Sequence, residues 1–312
     1  MIVKPFTPSA FTFGLEALLS RLHPAHPQFP KLEQELKRQQ AGDFGEQYVM
    51  NELQMLSMDV QLLHNVILPA ILSMQIDILI VTPNGIIILE IKNIKGTVLL
   101  KNNPRQLIRT TETGEVTVFT HPEIQLEQYM QGMKNFLQQH NITIPIYGAI
   151  VFPFNNVQIQ REGEGMPILM AKDLPMYIHQ LPPHTDTTSI QNITNKIMKN
   201  IKTKIPYPLC RYYNIDINSL QMGIRCEKCL HYSMARQKRA WRCTNCQHTC
   251  LYAHNQTLRD YYMLIGNTIT NQQGRQFLNI ENMDLAKRIL KANCHVSSGA
   301  TKNRIYVFPQ VP

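Results

Sequence analysis

No run of about 20 apolar residues, the length a membrane-crossing helix needs, occurs in this 312-residue sequence. The most apolar stretch, Val66 to Ile91, is interrupted by Pro69, Gln75, Asp77, Pro83, Asn84, Gly85 and Glu90. The opening residues MIVKPFTPSAFTFGLEALLS place prolines and Glu16 where an export signal needs a clean apolar segment, so a soluble cytoplasmic protein with no membrane partner is expected. Cysteine is missing from the first two-thirds: Cys210, Cys226, Cys229, Cys243, Cys246, Cys250 and Cys294 all lie after it. Net charge is missing there too. Residues 1–205 carry 17 Lys and Arg against 17 Asp and Glu, whereas residues 206–312 carry 14 against 5, the whole of the +9. No internal repeat or low-complexity tract is visible. What is present is an ordinary globular hydrophobic fraction, 44%, in a chain long enough for more than one domain. Two compositions imply at least two domains. The basic one suits a polyanion, most simply nucleic acid, unless its charge serves solubility alone.

The first 40 residues read as an irregular lead-in followed by a helix. Residues 43–58 place Phe44, Tyr48, Val49, Leu53 and Leu56 at helical spacing, with Asp43 as N-cap and Glu46 closing a capping box. Strands are predicted over Val60–Leu68, Gln75–Thr82 and Ile86–Lys92, with Gly96–Leu100 continuing the last. A polar hairpin around Gly114, a helix after His121-Pro122 and a buried strand over 144–154 follow. Residues 186–204 read as a further helix, and IPYPL (205–209) as a linker, because its prolines break any continuing helix.

Three charges stand inside the best hairpin, QIDILIVTPNGIIILEIKN (75–93). Glu90 and Lys92 are two apart in one strand and share a face. The turn at Pro83 to Gly85 brings Asp77 close to opposite Glu90. Two carboxylates and an ammonium converging on one spot suit a hard divalent cation, which takes oxygen ligands and leaves positions for water and phosphate. Lys92 could then orient or deprotonate a water, or neutralise charge in a phosphoryl transition state. An internal Asp77–Lys92 salt bridge is the simpler alternative.

The pattern D-x(12)-E-x-K resembles the signature of the PD-(D/E)xK nuclease superfamily, with Ile76 where the superfamily name has proline. GDFGEQYV before the hairpin, the hairpin itself, and the Gln of HPEIQLEQYM after it resemble the nuclease-related domain (NERD) family over roughly residues 40–155. The resemblance implies a metal-dependent nuclease in which Asp77 and Glu90 hold Mg²⁺ or Mn²⁺, Lys92 is the catalytic lysine and Glu46 an accessory acid. It places Gln125 near the site, with Tyr129 one turn along. The capping box explains Glu46 without catalysis, and core packing explains Tyr129.

Cys226-x₂-Cys229 and Cys243-x₂-Cys246, thirteen residues apart, form a strong structural zinc signal; four thiolates leave no open position for chemistry. A rubredoxin-like iron site has the same spacing. Trp241, the single tryptophan, is expected to pack over the small core. Arg236, Lys238, Arg239 and Arg242 make the ribbon hairpin basic, suited to phosphate contact or simply solvated. Residues 256–312 read as three helices and a hairpin. This resembles a winged helix, with Lys287, Arg288 and Lys291 on the candidate recognition helix and Lys302 and Arg304 near the hairpin turn; a small helical domain used for dimerisation or for packing onto the nuclease core is the alternative. The expected fold is therefore α/β (α+β): a restriction-endonuclease-like mixed sheet flanked by helices, a zinc ribbon and a small helical domain. The expected boundaries are a lead-in at 1–39, a nuclease-like domain at 40–205, a ribbon at 206–254 and the helical domain at 255–312. The expected function is phosphodiester hydrolysis, of DNA first, with structural Zn²⁺. The alternative is a nucleic-acid-binding or adaptor protein on an inactive nuclease fold.

Overall fold

The structure, a computed structural model, describes the chain except residues 57–58, 70–73, 186–188, 204, 299–303 and 310–312 and the side chains of 296–298. Two units result: Met1–Pro8 with Gln39–Lys204, and Ser9–Arg38 with Ile205–Pro312. The expected lead-in is thus divided. Strand β1 (Ile2–Lys4) joins the first unit, while helix α1 (Ala10–Arg21) and the first ten residues of α2 (Phe29–Gln54) join the second.

Helix α2 starts fourteen residues before Asp43, which corrects the expected cap. The Lys-, Glu- and Gln-rich stretch before Asp43 is a good helix former, and it carries the buried Leu32, so the helix begins earlier. Asp43 and Glu46 are mid-helix residues, and the capping box does not form.

In the first unit, β2 (Gln61–Leu68), β3 (Met74–Thr82) and β4 (Gly85–Ile91) form an antiparallel meander. Parallel strands extend it: β1 beside β2, and on the other side β8 (Ile146–Phe152), then β10 (Ile168–Met170). The strands β2–β4 are nearly continuous apolar runs because both faces are covered. Helices α3 (Pro122–Gln139) and α5 (Ile190–Asn200) pack Met133, Phe136, Ile193 and Ile197 on Leu79, Val81, Ile86 and Ile88. On the opposite face, α2 and α4 (Leu174–His179) pack Val49, Leu53 and Leu174 on Ile78, Ile80, Ile87 and Leu89.

Residues 96–102 are a strand, β5 (Gly96–Asn102), but not a continuation of the hairpin. Gly96 turns the chain at φ +97°, where a Cβ would stand 2.5 Å from the Thr110 carbonyl oxygen, and only glycine fits there. Strand β5 enters a second sheet ordered β7-β6-β5-β9, made with β6 (Arg105–Thr110), β7 (Val116–Thr120) and β9 (Val157–Arg161). That sheet packs Val98, Leu100 and Leu107 with Leu126, Ile150 and Phe152.

The second unit contains α1, α6 (Leu209–Tyr213), a three-stranded ribbon β11 (Met234–Gln237), β12 (Ala240–Cys243) and β13 (Thr249–Cys250), then α7 (Ala253–Leu264), β14 (Thr268–Thr270), α8 (Asn271–Leu278), α9 (Met283–Asn293), β15 (Val296–Ser298) and β16 (Ile305–Val307). From α7 onward this is the element order of a winged helix, with an antiparallel sheet ordered β14-β16-β15. The Thr270 hydroxyl caps α8, and Gln273 completes a capping box. The ribbon and the helices share one core, in which Trp241, Cys226 and Cys243 lie with Leu15, Leu18, Leu258 and Phe277.

A buried ion pair crosses that core. Arg21 Nε donates to Asp260 Oδ2 at 2.9 Å and Nη1 donates to the Gln221 carbonyl at 2.8 Å, with the guanidinium over the Tyr232 and Phe277 rings. Burial pushes the Asp260 carboxyl up while Arg21 holds it down. Removing one partner strands the other charge out of water, so Asp260→Ala is expected to destabilise this unit by about 3–5 kcal/mol, read from the midpoint of urea unfolding.

Candidate active site and cysteine cluster

The charged residues of the hairpin sit where its strands part. The β3–β4 ladder runs from Thr82–Gly85 to Ile78–Leu89; the next rung would pair Asp77 with Glu90. Glu90 and Ile91 keep only the parallel pairing with β8, to Ile150 and Val151, that runs from Ile86 onward. On the other side, Asn65 at φ +49° falls at the rung missing from the β2–β3 ladder, again opposite Asp77. Apolar facing changes at that point. Met74 and Ile76 face the α3 side, as do Leu79 and Val81, so the pleat alternation slips by one residue around Asp77. Such irregularities recur beside functional sites, where they re-aim a side chain.

Asp77 Oδ2 accepts the Ile91 backbone N–H at 2.8 Å, tying the parted strands together. Lys92 Nζ donates to Glu90 Oε1 at 2.6 Å. The ion pair is therefore Glu90–Lys92, not the Asp77–Lys92 bridge that was the simpler alternative. Glu90 is buried, and its Oε2 has no hydrogen-bond partner. Helix α2 closes on this spot through Gly45, where a Cβ would come within 2.8 Å of Asn93 Cβ; Asn93 Nδ2 donates to the Ala41 carbonyl at 2.7 Å. Glu46 is thereby brought to the cluster. Its Oε2 meets His64 Nε2 of β2 at 2.7 Å. Gln125 Nε2 donates to the Tyr129 hydroxyl at 2.9 Å, and Tyr129 feels the charges of Glu90 and Asp77, so Gln125 reaches the cluster through Tyr129.

The electrostatics make these groups one set. Burial, then Asp43 and Glu90, pushes the Glu46 carboxyl up to about 8. Burial, then Glu46, raises Asp77 to about 7 against the Ile91 N–H and Lys92. Burial, then Asp77, raises Glu90 to about 8. Burial works to lower Lys92, but Glu90 and Asp77 hold it above its ordinary value. Burial, then the Lys4 charge, lowers His64 to about 4, so burial disfavours the charged form of both members of the Glu46–His64 pair. His64 escaped the sequence reading; its signal was an imidazole inside the apolar strand LLHNVIL (62–68).

These raised values fix a pH dependence. A carboxyl raised in the folded state contributes stability that is complete below its ordinary value near 4.5 and is lost as pH rises through about 8. Without divalent cation, stability is expected to fall between about pH 5 and about pH 9. Glu46→Gln, which cannot ionise, should flatten part of that slope in denaturant titrations.

The four cysteines Cys226, Cys229, Cys243 and Cys246 have sulfurs all within 4.8 Å of one another. Two matching turns present them. Leu230 N donates to the Cys226 carbonyl at 2.9 Å and Gln247 N to the Cys243 carbonyl at 3.0 Å, with Leu230 at φ +63° and Gln247 at φ +62°. Cys246 N donates to Cys243 Sγ at 3.3 Å. His231 Nδ1 lies 2.8 Å from the Cys229 carbonyl oxygen and His248 Nε2 2.7 Å from Glu227 Oε1; neither belongs to the donor group. Cys210 and Cys294 lie outside it, with thiols pushed up to about 11 by burial. Four sulfurs so placed can hold one tetrahedral ion such as zinc. Among the described residues no other set of three or more His, Cys, Asp or Glu donors is gathered this tightly.

Of the basic residues singled out, Lys238, Arg239 and Arg242 on the ribbon and Lys287, Arg288 and Lys291 on α9 are exposed. Arg236 is half-buried over the Trp241 ring, Arg304 is half-buried, and Lys302 lies outside the described residues.

A mixed sheet covered by helices on both faces, with carboxylates and a lysine at parted strands, defines a nuclease-like domain. Residues 41–153 match the family model of the nuclease-related domain, NERD, and the chain carries that domain there. No curated protein and no solved structure matches the chain. No helix among the described residues is long and apolar enough to cross a membrane.

Proposed function

We propose that the protein is a divalent-metal-dependent nuclease, acting on DNA, whose basic second unit binds nucleic acid. One observation carries this reading: Glu46, Asp77, Glu90 and Lys92 gather where β3 and β4 part, and a buried Glu90 oxygen there lacks a partner. That orphaned atom and the acidic donor set fit a hard cation. Asp77 and Glu90 would hold Mg²⁺ or Mn²⁺, with water and phosphate as the remaining ligands, because the three carboxyl groups do not form a tight three-donor set. The ion would supply Lewis-acid polarisation of the phosphate and charge against the transition state. Lys92, kept an ammonium by Glu90, places a second positive charge beside the phosphate oxygens. Glu46, oriented by His64, presents a carboxyl that can exchange a proton with water at the reacting phosphorus. Gln125 orients the Tyr129 hydroxyl at the wall of the site.

In the second unit the cysteine cluster would hold structural Zn²⁺. The two-residue turn between β11 and β12 is Lys238-Arg239, with Lys238 at φ +50°, a conformation that glycine or asparagine takes more readily. Cations at a strained tip support a phosphate-binding role. Incubation with supercoiled and single-stranded DNA, with and without Mg²⁺ or Mn²⁺, tests the reading. Metal-dependent cutting is expected. Binding without cutting across a broad panel would favour a nucleic-acid-binding protein on an inactive nuclease fold.

A further inference from the structure

Phe44 matches the apolar period of α2, yet it is 59% exposed, while Val49 and Leu53 of the same helix are buried against the sheet. Its ring is offset-stacked on Phe154, with centroids 5.5 Å apart and planes 23° apart. Phe154 is fixed from its other neighbour by Tyr48, 4.7 Å away. An aromatic ring held flat by a second ring and left facing solvent differs from a scattered surface apolar residue.

Its location names the occupant. Phe44 and Glu46 leave α2 on opposite sides of Gly45, since residues two apart on a helix do not face each other, and Phe154 follows the β8 segment whose Val151 carbonyl accepts the Lys92 N–H at 2.9 Å. Gly45, between Phe44 and Glu46, packs against Asn93 and Pro153. Lys92 adjoins Asn93 along the chain, and Lys95, three residues after Lys92, is exposed. A flat apolar ring flanking the Gly45–Asn93 contact, with Asn93 next to Lys92 in the chain, matches a nucleic-acid strand with a phosphate at the cluster and a nearby base on the ring. Bases inside a duplex are already stacked on their neighbours and cannot lie on it; an unpaired base can. We infer that Phe44, backed by Phe154 and Tyr48, is a stacking platform for an unpaired base beside the scissile phosphate, and that the substrate is single-stranded at the cut. The location rests on the nuclease reading; the stacking does not require cutting.

The test uses the full chain without added Mg²⁺ or Mn²⁺. In Phe44→Trp the new indole is exposed, whereas Trp241, the native tryptophan, is buried and gives a constant background. Oligothymidylate is expected to quench the new emission, while an abasic strand of equal length and a duplex leave it largely unchanged. Phe44→Ala should unfold at the parent temperature yet bind oligothymidylate about tenfold more weakly, with duplex affinity unchanged. Equal quenching by the abasic strand or the duplex, no quenching at all, or parent-like oligothymidylate binding by Phe44→Ala would each overturn the inference. Quenching by oligothymidylate without cutting of any substrate would overturn the nuclease reading and leave the platform standing.

Discussion

Lys92→Ala is expected to slow DNA cleavage by about 10²–10⁴-fold, the range for losing a group that acts on transition-state charge or moves a proton. Lys92 is the positive charge that acts on Glu46, Asp77 and Glu90 alike. Its removal also takes the partner from Glu90 Oε1 while Oε2 already has none, leaving a buried carboxyl with no hydrogen bond. The carboxyl groups should then hold protons more tightly and a cation less tightly, because the ligands must deprotonate to bind it. Two measurements separate the effects. Calorimetric titration with Mn²⁺ reads the cation affinity, and cleavage at saturating Mn²⁺ reads the chemistry. Lys92→Met, which keeps the aliphatic stem, guards against simple loss of packing. Cutting at the parent rate by either variant under saturating metal would remove Lys92 from the chemistry.

How much of this was legible depended on whether the relevant partner is near in sequence. Asp77, Glu90 and Lys92 could be placed together because strand alternation and one short turn fix their register within nineteen residues. What could not be read was that the β3–β4 ladder stops one rung short of them, since the side-chain bond from the Ile91 N–H to Asp77 Oδ2 that stands there leaves no mark in strand spacing. Glu46 was open to reading as a cap because the local pattern permits one. Its actual partner is His64 on a different element, and tertiary pairs leave no spacing signal. Strand β5 was visible as a strand, but its sheet was not. Phe44 shows the limit of periodicity: it identifies a face of a helix, not the point where that face passes beyond the sheet it covers. Residues 9–38 belong with a core built almost entirely after residue 205, and adjacency along the chain gave the opposite impression. The cysteine turns were legible because all their geometry is local.

Chelation of the zinc proposed for the cysteine cluster, or the substitution Cys243→Ser, should unfold the ribbon of the second unit. Zinc held by such sites contributes about 10–16 kcal/mol of apparent binding energy that is also folding energy, against a whole-domain stability of about 5–15 kcal/mol. Cys226 and Cys243 are buried in the shared core, so four sulfurs without an ion leave either clustered thiolates or unmatched thiols inside it. Trp241 is the reporter. Its ring is fully buried, its Nε1 donates to His254 Nδ1 at 2.9 Å, and Arg236 lies over it. Its emission should therefore shift to the red when the ribbon opens and return when Zn²⁺ is restored. Cys210→Ser, a thiol outside the cluster, serves as the control that leaves the metal content and the Trp241 emission position unchanged. The hairpin carrying Lys238, Arg239 and Arg242 should lose its geometry in the same transition. The salt dependence of DNA binding, which counts phosphate contacts, should then become shallower as Trp241 becomes exposed. A Cys243→Ser protein with unshifted emission and an unchanged salt slope would show that the ribbon stands on its apolar core alone.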